Sequence, residues 1–139
     1  MRKIAPLLVI AHWIIAVSHL FLVARILPAP YDKVSWLGIT FITLGHWLVT
    51  ILLWTLSDKV GGVISLIFYW AAMSADLYEH FLHDSPNNVF DLVASSSGTM
   101  WFEASVFLLL GLEIAGCLLG IAMVKGRKAP ADSALPKHA

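Results

Sequence analysis

The sequence has 139 residues, of which 59% are hydrophobic and 13% are charged, and its formal net charge is zero with histidine neutral. Its mean hydropathy of +0.81 lies outside the usual range for soluble domains, so the composition predicts an integral membrane protein. The lack of net positive charge argues against nucleic-acid binding, and the single cysteine, Cys117, excludes a disulfide framework or a zinc knuckle.

Four long apolar segments follow one another along the chain, at approximately 4–27, 34–56, 60–82 and 99–124. Each could cross about 30 Å of hydrocarbon as an α-helix. The first is too long for a signal peptide, so we expect it to be retained. The polar segments between them are short, and short connections favour antiparallel neighbouring helices. We therefore predict one all-α domain at 1–125, folded as an antiparallel four-helix transmembrane bundle, and a flexible cytoplasmic tail at 126–139.

Basic residues are distributed unevenly around the predicted helix ends. Arg25 and Lys33 flank the first loop, and the others fall on the opposite side: Arg2, Lys3, Lys59, Lys125, Arg127, Lys128 and Lys137. By the positive-inside rule, both termini are expected in the cytoplasm and the first and third loops outside. We expect a multi-pass protein of a membrane such as the bacterial inner membrane, with the outer loops toward the periplasm.

The third loop, "HDSPNNVFDLVASSSG", carries a helix-start signal of its own. Ser85 is a favoured N-cap residue, and Pro86 is of the type favoured at the first helical position. Apolar residues follow at positions 89, 90, 92 and 93. The loop is therefore predicted to form a short helix that lies in the membrane interface.

Polar residues recur on one face of each predicted helix at alternating steps of three and four. In the first and third helices these faces carry His12, His19, Ser65, Tyr69, Ala72, Asp76, Glu79 and His83, with His80 beside them. In the second and fourth they carry Trp36, Thr40, Thr43, Trp47, Thr50, Trp54, Glu103, Val106, Leu110, Glu113, Cys117 and Gly120. This spacing is typical of left-handed helix packing, so the four faces are expected to meet in a common interior.

The ionisable residues on these faces are predicted to form a column. Counted at 1.5 Å per residue from the outer helix ends, their order from the outer face inward is His83, His80, Glu103, Asp76, His19, His46, Glu113 and His12. Such groups are costly at membrane depth and usually mark a site, a relay or a mutual pair. We interpret the repeated dipeptide His12-Trp13 and His46-Trp47 as a coincidence, because antiparallel helices do not place the two copies at one height.

The leading interpretation of the column is a bound metal ion in the outer half of the bundle. Asp76, His80 and His83 lie at i, i+4 and i+7, so one helical face would present a carboxylate and two imidazoles together. Glu79 flanks them, and Glu103 would approach from the fourth helix. Nitrogen and oxygen ligands of this kind suit zinc, iron or copper, so these five residues are the predicted transition-metal site.

A b-type haem is a variant of this interpretation. A haem of this type needs two imidazoles from different helices at similar depth. His19 and His46 meet that description, because they lie within a few ångströms in depth on helices expected to be neighbours. These two histidines are therefore the predicted cofactor-binding pair.

Proton transfer is the second interpretation. Asp76, Glu103 and Glu113, together with the histidines, could act as successive stations of a proton relay or a proton-linked transporter. Four helices are few for a complete pathway, so a homodimer or partner subunits would be needed. The same carboxyl groups could also act as catalytic acids or bases on a lipid-like substrate. The sequence leaves open whether the protein is an enzyme.

An accessory subunit of a larger membrane complex is the third interpretation. Its polar faces would pack against partner helices, and Glu113 beside Gly111, Gly116 and Gly120 would be a paired carboxylate at a close helix contact. The expected partners are the lipid bilayer and either a second copy of the chain or other membrane subunits.

Overall fold

The computed structural model describes residues 3–27, 34–90 and 97–126. These residues form four α-helices, which are α1 (Ile4–Ile26), α2 (Trp36–Thr55), α3 (Asp58–Leu77) and α4 (Ser97–Lys125). A π-helical turn, Tyr78–Leu82, continues α3. All four helices are long and apolar enough to cross a membrane, the third as the continuous span Asp58–Leu82. For the described residues, the predictions of an all-α fold and of four helices long and apolar enough to cross a membrane are confirmed. The predicted tail, apart from Gly126, lies outside the described residues.

Local signals in the sequence account for the helix ends. The side chain of Ser35 accepts a hydrogen bond from Gly38 N at 3.1 Å, which caps the first turn of α2. Ser57, between α2 and α3, has an extended backbone conformation. Asp58 follows in the first turn of α3, where a negative charge complements the helix dipole. Gly126 takes a positive φ of 66° directly after α4, as glycine commonly does at a helix C-terminus.

Each helix packs against two others. α1 contacts α2 and α4, and α3 contacts α4 and α2. Neighbouring helices run in opposite directions, because Phe21 near the end of α1 lies against Trp36 at the start of α2, whereas Trp13 donates a hydrogen bond to Thr43 Oγ1 at 3.1 Å. We call the half that contains the end of α1 and the start of α4 the distal half, and the opposite half, which contains the connection between α2 and α3, the proximal half.

Glycines let α3 and α4 approach most closely. A Cβ placed on Gly62 would lie 2.8 Å from the carbonyl oxygen of Gly120, and one placed on Gly116 would overlap the ring of Tyr69. Ser65, which is buried, donates a hydrogen bond to Gly116 O at 3.3 Å across the same contact. Small residues and hydrogen bonds between helices are the usual means of association in membranes, where lipid is as apolar as the protein.

The predicted inner face of α2 is wrong for its tryptophans. Thr50 is buried as predicted, but Trp36, Trp47 and Trp54 are at least half exposed, and the other buried residues of this helix are His46 and Leu53. The error arises because large apolar side chains are equally stable against lipid and against protein, so their spacing does not identify the interior. Nor do the threonines identify it, since Thr40, which is exposed, satisfies its hydroxyl on the carbonyl oxygen of Trp36, four residues earlier, at 2.8 Å.

The π-helical turn also changes the predicted face of the third helix. His83 N donates to Tyr78 O, five residues earlier, at 2.7 Å. This wider turn shifts the phase of the helix, so His80 is buried whereas Glu79 and His83 are nearly half exposed. Asp76, His80 and His83 therefore do not share the face that a regular α-helix would give them.

The described part of the third loop forms turns where a helix is predicted. Asn88 N donates to Ser85 O at 2.9 Å, and Val89 N donates to His80 O, in the π-helical turn, at 3.0 Å. The side chain of Asn88 accepts from Phe90 N at 3.0 Å, which is the local bonding that makes asparagine a turn residue. Residues 91–96, which include the rest of the predicted helix, lie outside the described residues.

We expect Gly62→Ala to destabilise the contact between α3 and α4 by about 1–3 kcal/mol, because its Cβ would meet backbone that cannot move aside. Gly111→Ala is the matched control, since a Cβ there would have no heavy atom within 4 Å. Thermal unfolding in detergent, followed by circular dichroism, compares the two variants. Equal melting temperatures would contradict the close packing of the two helices.

Candidate functional site

A layer of buried polar residues separates two apolar clusters in the interior. The proximal cluster contains Ala5, Val9, Leu53, Tyr69 and Met123. The distal cluster contains Val23, Leu27, Phe102 and Val106. His12, His46 and Glu113 lie between them, with exposed fractions of 4%, 6% and 0%. Burial this complete is costly for any polar atom that lacks a hydrogen-bond partner.

His12 is the centre of this layer. Its Nδ1 lies 2.7 Å from His46 Nε2, and its Nε2 lies 3.1 Å from Glu113 Oε1. The three side chains come from α1, α2 and α4, so both nitrogens of one imidazole connect three helices. The edges of Phe68 and Tyr69 pack against the ring of His12, with centroid separations of 5.8 and 5.6 Å, and hold it in place.

One carbonyl oxygen fixes which atom donates in the hydrogen bonds that connect His46, His12 and Glu113. His46 Nδ1 lies 2.6 Å from the carbonyl oxygen of Ile42, which can only accept, so His46 Nδ1 carries a proton. The Nε2 of a neutral His46 then accepts from His12 Nδ1. One proton remains for the contact between His12 Nε2 and Glu113 Oε1, and it can reside on either atom. The pair is therefore either a neutral acid with a neutral imidazole or a carboxylate with an imidazolium.

Asp76 adds a second carboxyl group to this layer. It is half-buried on α3 and interacts electrostatically with Glu113, His80 and His12. The second oxygen of Glu113, Oε2, is buried and makes no hydrogen bond to any other described residue. The sequence-predicted residues Asp76 and Glu113 are thus brought together from α3 and α4, and both interact with His12.

His19 and His80 form a second group in the distal half. His19 Nδ1 lies 2.8 Å from Ser105 Oγ, and Ser105 donates its own proton to the carbonyl oxygen of Phe102 at 2.6 Å. Ser105 must therefore accept from His19. His80 Nδ1 likewise donates to the carbonyl oxygen of Asn87 at 3.0 Å. The two imidazole rings meet edge to face, 4.9 Å apart.

These contacts leave the Nε2 lone pairs of both rings available in their neutral forms. His19 is 5% exposed, and its Nε2 has no hydrogen-bond partner among the described residues. In both rings Nδ1 donates to a fixed acceptor, and this bond holds the imidazole in one tautomer and one orientation. Histidines that bind metal ions through one ring nitrogen are held in the same way by a bond from the other. The second group therefore offers two oriented acceptors.

A partly open cavity of about 520 Å³ connects the two groups. α2 and α3 contact each other toward their proximal ends, where Leu53 lies beside Gly61 and the rings of His46 and Phe68 meet. Farther along, Ile42 of α2 and Asp76 of α3 both line the cavity, which lies between the diverging distal parts of the two helices. The remaining polar side chains that line it are His12, His19, Ser35, His46, Glu79, His80 and Asn87.

The structure only partly assembles the predicted metal site. Asp76 and His80 line the cavity and Glu79 lies at its exposed edge, whereas His83 faces away and lies 3.5 Å from Glu79. Glu103 is half-buried on α4, away from the described lining of the cavity. Within the described ranges, no group of three or more His, Cys, Asp or Glu residues is arranged to hold a metal ion.

The predicted haem pair is divided between the two groups. Both His19 and His46 line the cavity, but His46 Nε2 is bonded to His12. Ligation of a haem through that nitrogen would require this bond to break. Haem binding by this pair stays a prediction that rests on the sequence alone.

The contact between His12 and His46 is not predicted by the sequence, because it depends on the relative height of α1 and α2. Phe21, five residues before the end of α1, packs against Trp36, the first residue of α2. α1 therefore extends about 7 Å beyond α2, and His12 reaches His46. The expectation that the two copies of the His-Trp dipeptide lie at different heights is wrong, since the rings of Trp13 and Trp47 are also in contact, with centroids 6.2 Å apart. The repeated dipeptide is the signal in the sequence that could have indicated this pair.

Comparisons with protein-family models, with curated proteins and with solved structures find no match for this chain.

In their neutral forms, His19, His46 and His80 are each expected to carry the ring proton on Nδ1, because each Nδ1 faces an acceptor. Nitrogen-15 NMR of the histidine rings distinguishes the two tautomers. Ser105→Ala should change only the tautomer of His19, and Ser18→Ala, at an exposed serine, should change none. A proton on His46 Nε2 would reverse the donor order described above.

Proposed function

We propose that this protein exchanges protons within the membrane: a lipid-soluble ligand occupies the cavity, and the Glu113, His12 and His46 chain, together with Asp76, holds and moves the proton that accompanies its binding. The observation that carries the proposal is the bridging position of His12, whose two ring nitrogens contact Glu113 at 3.1 Å and His46 at 2.7 Å. Buried acid and imidazole chains of this kind serve as proton relays in membrane proteins.

The donor order of this chain supports proton movement. When the proton passes from Glu113 to His12, the imidazole can release its other proton to His46 Nε2. Each transfer follows a hydrogen bond that already exists, so no side chain has to change its rotamer. The proton then leaves the fully buried Glu113, which remains as a carboxylate, and arrives at His46, which lines the cavity and becomes an imidazolium.

The surroundings favour exchange with one side at a time over an open pore. The distal end of the site leads through the cavity to Glu79 and Asn87. On the proximal side, the apolar cluster of Val9, Leu53 and Tyr69 separates the polar layer from the other face. A carrier has this arrangement. By the distribution of Lys and Arg, the cavity would face outward.

In this proposal, His12 Nδ1 and His46 Nε2 transfer a proton between them. The proposal does not require either nitrogen to coordinate a metal ion. The carboxyl groups that take part are Asp76 and Glu113. Glu103, which the sequence also suggested, is not needed, because it lies away from the cavity.

Proton movement by Glu113 is testable in proteoliposomes that contain a pH-sensitive dye. We expect Glu113→Gln to dissipate an imposed pH gradient at least about tenfold more slowly than the native chain. The reason is that the amide cannot take up and release a proton. The amide can still donate a hydrogen bond to His12 Nε2, so the fold should be retained.

Asp84→Asn is the control, since it makes the same change of carboxyl to amide at an exposed position beyond the π-helical turn. Its rate should equal that of the native chain. A native rate no higher than that of protein-free liposomes, or an unchanged rate in Glu113→Gln, would refute the proposed proton exchange.

A further inference from the structure

We infer that the ligand of the cavity is a lipophilic primary or secondary amine, bound as its ammonium ion with its N–H groups donated to Asp76, His19 and His80. This inference rests on the proposed function, since it names the ligand class for the same cavity. It is drawn from the hydrogen-bonding character, the charge and the shape of the cavity walls.

The polar walls of the cavity are composed mainly of acceptors. The Nδ1 protons of His19, His46 and His80 are donated to Ser105 Oγ and to the carbonyl oxygens of Ile42 and Asn87. His19 and His80 therefore present Nε2 lone pairs, and that of His19 is buried with no partner within the described part of the chain. A ligand that satisfies these atoms must be a donor.

The charge of the cavity favours a cationic donor. Asp76 and Glu79 line it, and Asp76 interacts electrostatically with Glu113. None of the described residues that line the cavity is a lysine or an arginine. Ionised carboxylates inside a membrane protein need a cation or a proton as partner. An ammonium group supplies a positive charge and up to three N–H donors at one atom.

The size and the apolar part of the cavity favour an organic cation over a metal ion. A volume of about 520 Å³ is typical of sites for small organic molecules and far exceeds that of a single ion. Leu20, Ile42 and Leu109 provide aliphatic wall, and Phe68 provides an aromatic face that can contact an ammonium or an aryl group. The ligand is therefore expected to carry a hydrophobic body.

The divergence of α2 and α3 provides an entrance from the membrane. The two helices contact each other toward their connected ends, at Leu53 and Gly61 and at His46 and Phe68. In the distal half the wall on the α3 side contains the small side chains of Ala72 and Ala75, and Ala75 is exposed. A lipophilic amine that partitions into the bilayer can thus enter sideways, between these helices.

Binding of the ammonium ion would release a proton. When the Asp76 carboxyl group holds a proton, arrival of the cation forms a carboxylate–ammonium pair, and the proton leaves through the neighbouring groups, which are Glu113, His12, His80 and Glu79. The total charge of the site is unchanged by this exchange. Proton and amine therefore compete for Asp76.

Three matched probes test the ligand class in equilibrium dialysis with the full-length protein in nanodiscs: a naphthylethylamine, the corresponding naphthylethanol and the N-trimethylated ammonium analogue. At neutral pH we expect the amine to bind at least about tenfold more tightly than either analogue. The alcohol lacks the positive charge, and the quaternary ion lacks the N–H donors. A pH-sensitive dye in weakly buffered solution should record release of roughly one proton per bound amine.

Two variants locate the site. Asp76→Asn should weaken binding of the amine about tenfold or more and leave binding of the alcohol unchanged, since only the amine pairs with the carboxylate. Asp84→Asn should bind all three probes as the native chain does. Loss of alcohol binding in Asp76→Asn would indicate a general defect of the cavity and overturn the assignment of Asp76 as the partner of the ammonium group.

The outcomes separate the ligand class from the proposed function. Equal affinity for amine and alcohol, or for amine and quaternary ion, would overturn the inference while proton exchange in proteoliposomes could still require Glu113. Stoichiometric binding of Zn²⁺ that is lost in His80→Ala, without binding of the amine, would overturn it in favour of a metal site. Amine binding without proton release would overturn the competition for Asp76.

Discussion

Hydrocarbon offers no water to an imidazole or a carboxyl group, so each such group inside these helices depends on a partner within the protein. His12 meets this constraint with both ring nitrogens, one toward His46 and one toward Glu113. Because the three residues belong to α1, α2 and α4, a shift of α1 by one turn would leave both partners without a bond. The polar layer therefore fixes the relative heights of three helices and forms the candidate site at the same time.

Close packing and the cavity are found at different helix pairs. Gly62 and Gly120 bring the backbones of α3 and α4 into contact. α2 and α3 are joined by a short connection and diverge from it, so the space between them is filled by neither helix. A ligand can then enter through one side without disturbing the packing of α3 on α4.

Hydrogen bonds that stabilise the interior also determine what the cavity can bind. The carbonyl oxygens of Ile42 and Asn87 each take an imidazole proton from a ring that borders the cavity. Every proton donated in this way leaves a lone pair on the opposite nitrogen. The π-helical turn contributes to this arrangement, because it brings His80 inward and leaves Glu79 and His83 toward the outside. The donor order of these hydrogen bonds therefore sets which ring nitrogens remain as acceptors.

The sequence by itself determined the four spanning helices and the inward position of His12, His19, Asp76 and Glu113, because length, hydropathy and the cost of burying charge are local properties. Only the tertiary structure decided which of these residues meet. The relative height of α1 and α2 depends on how side chains fit across the helix contact, and a π-helical turn leaves no regular spacing in the sequence. The orientation of α2 was also undecided, since lipid and protein interior are equally apolar and the tryptophans are stable against either.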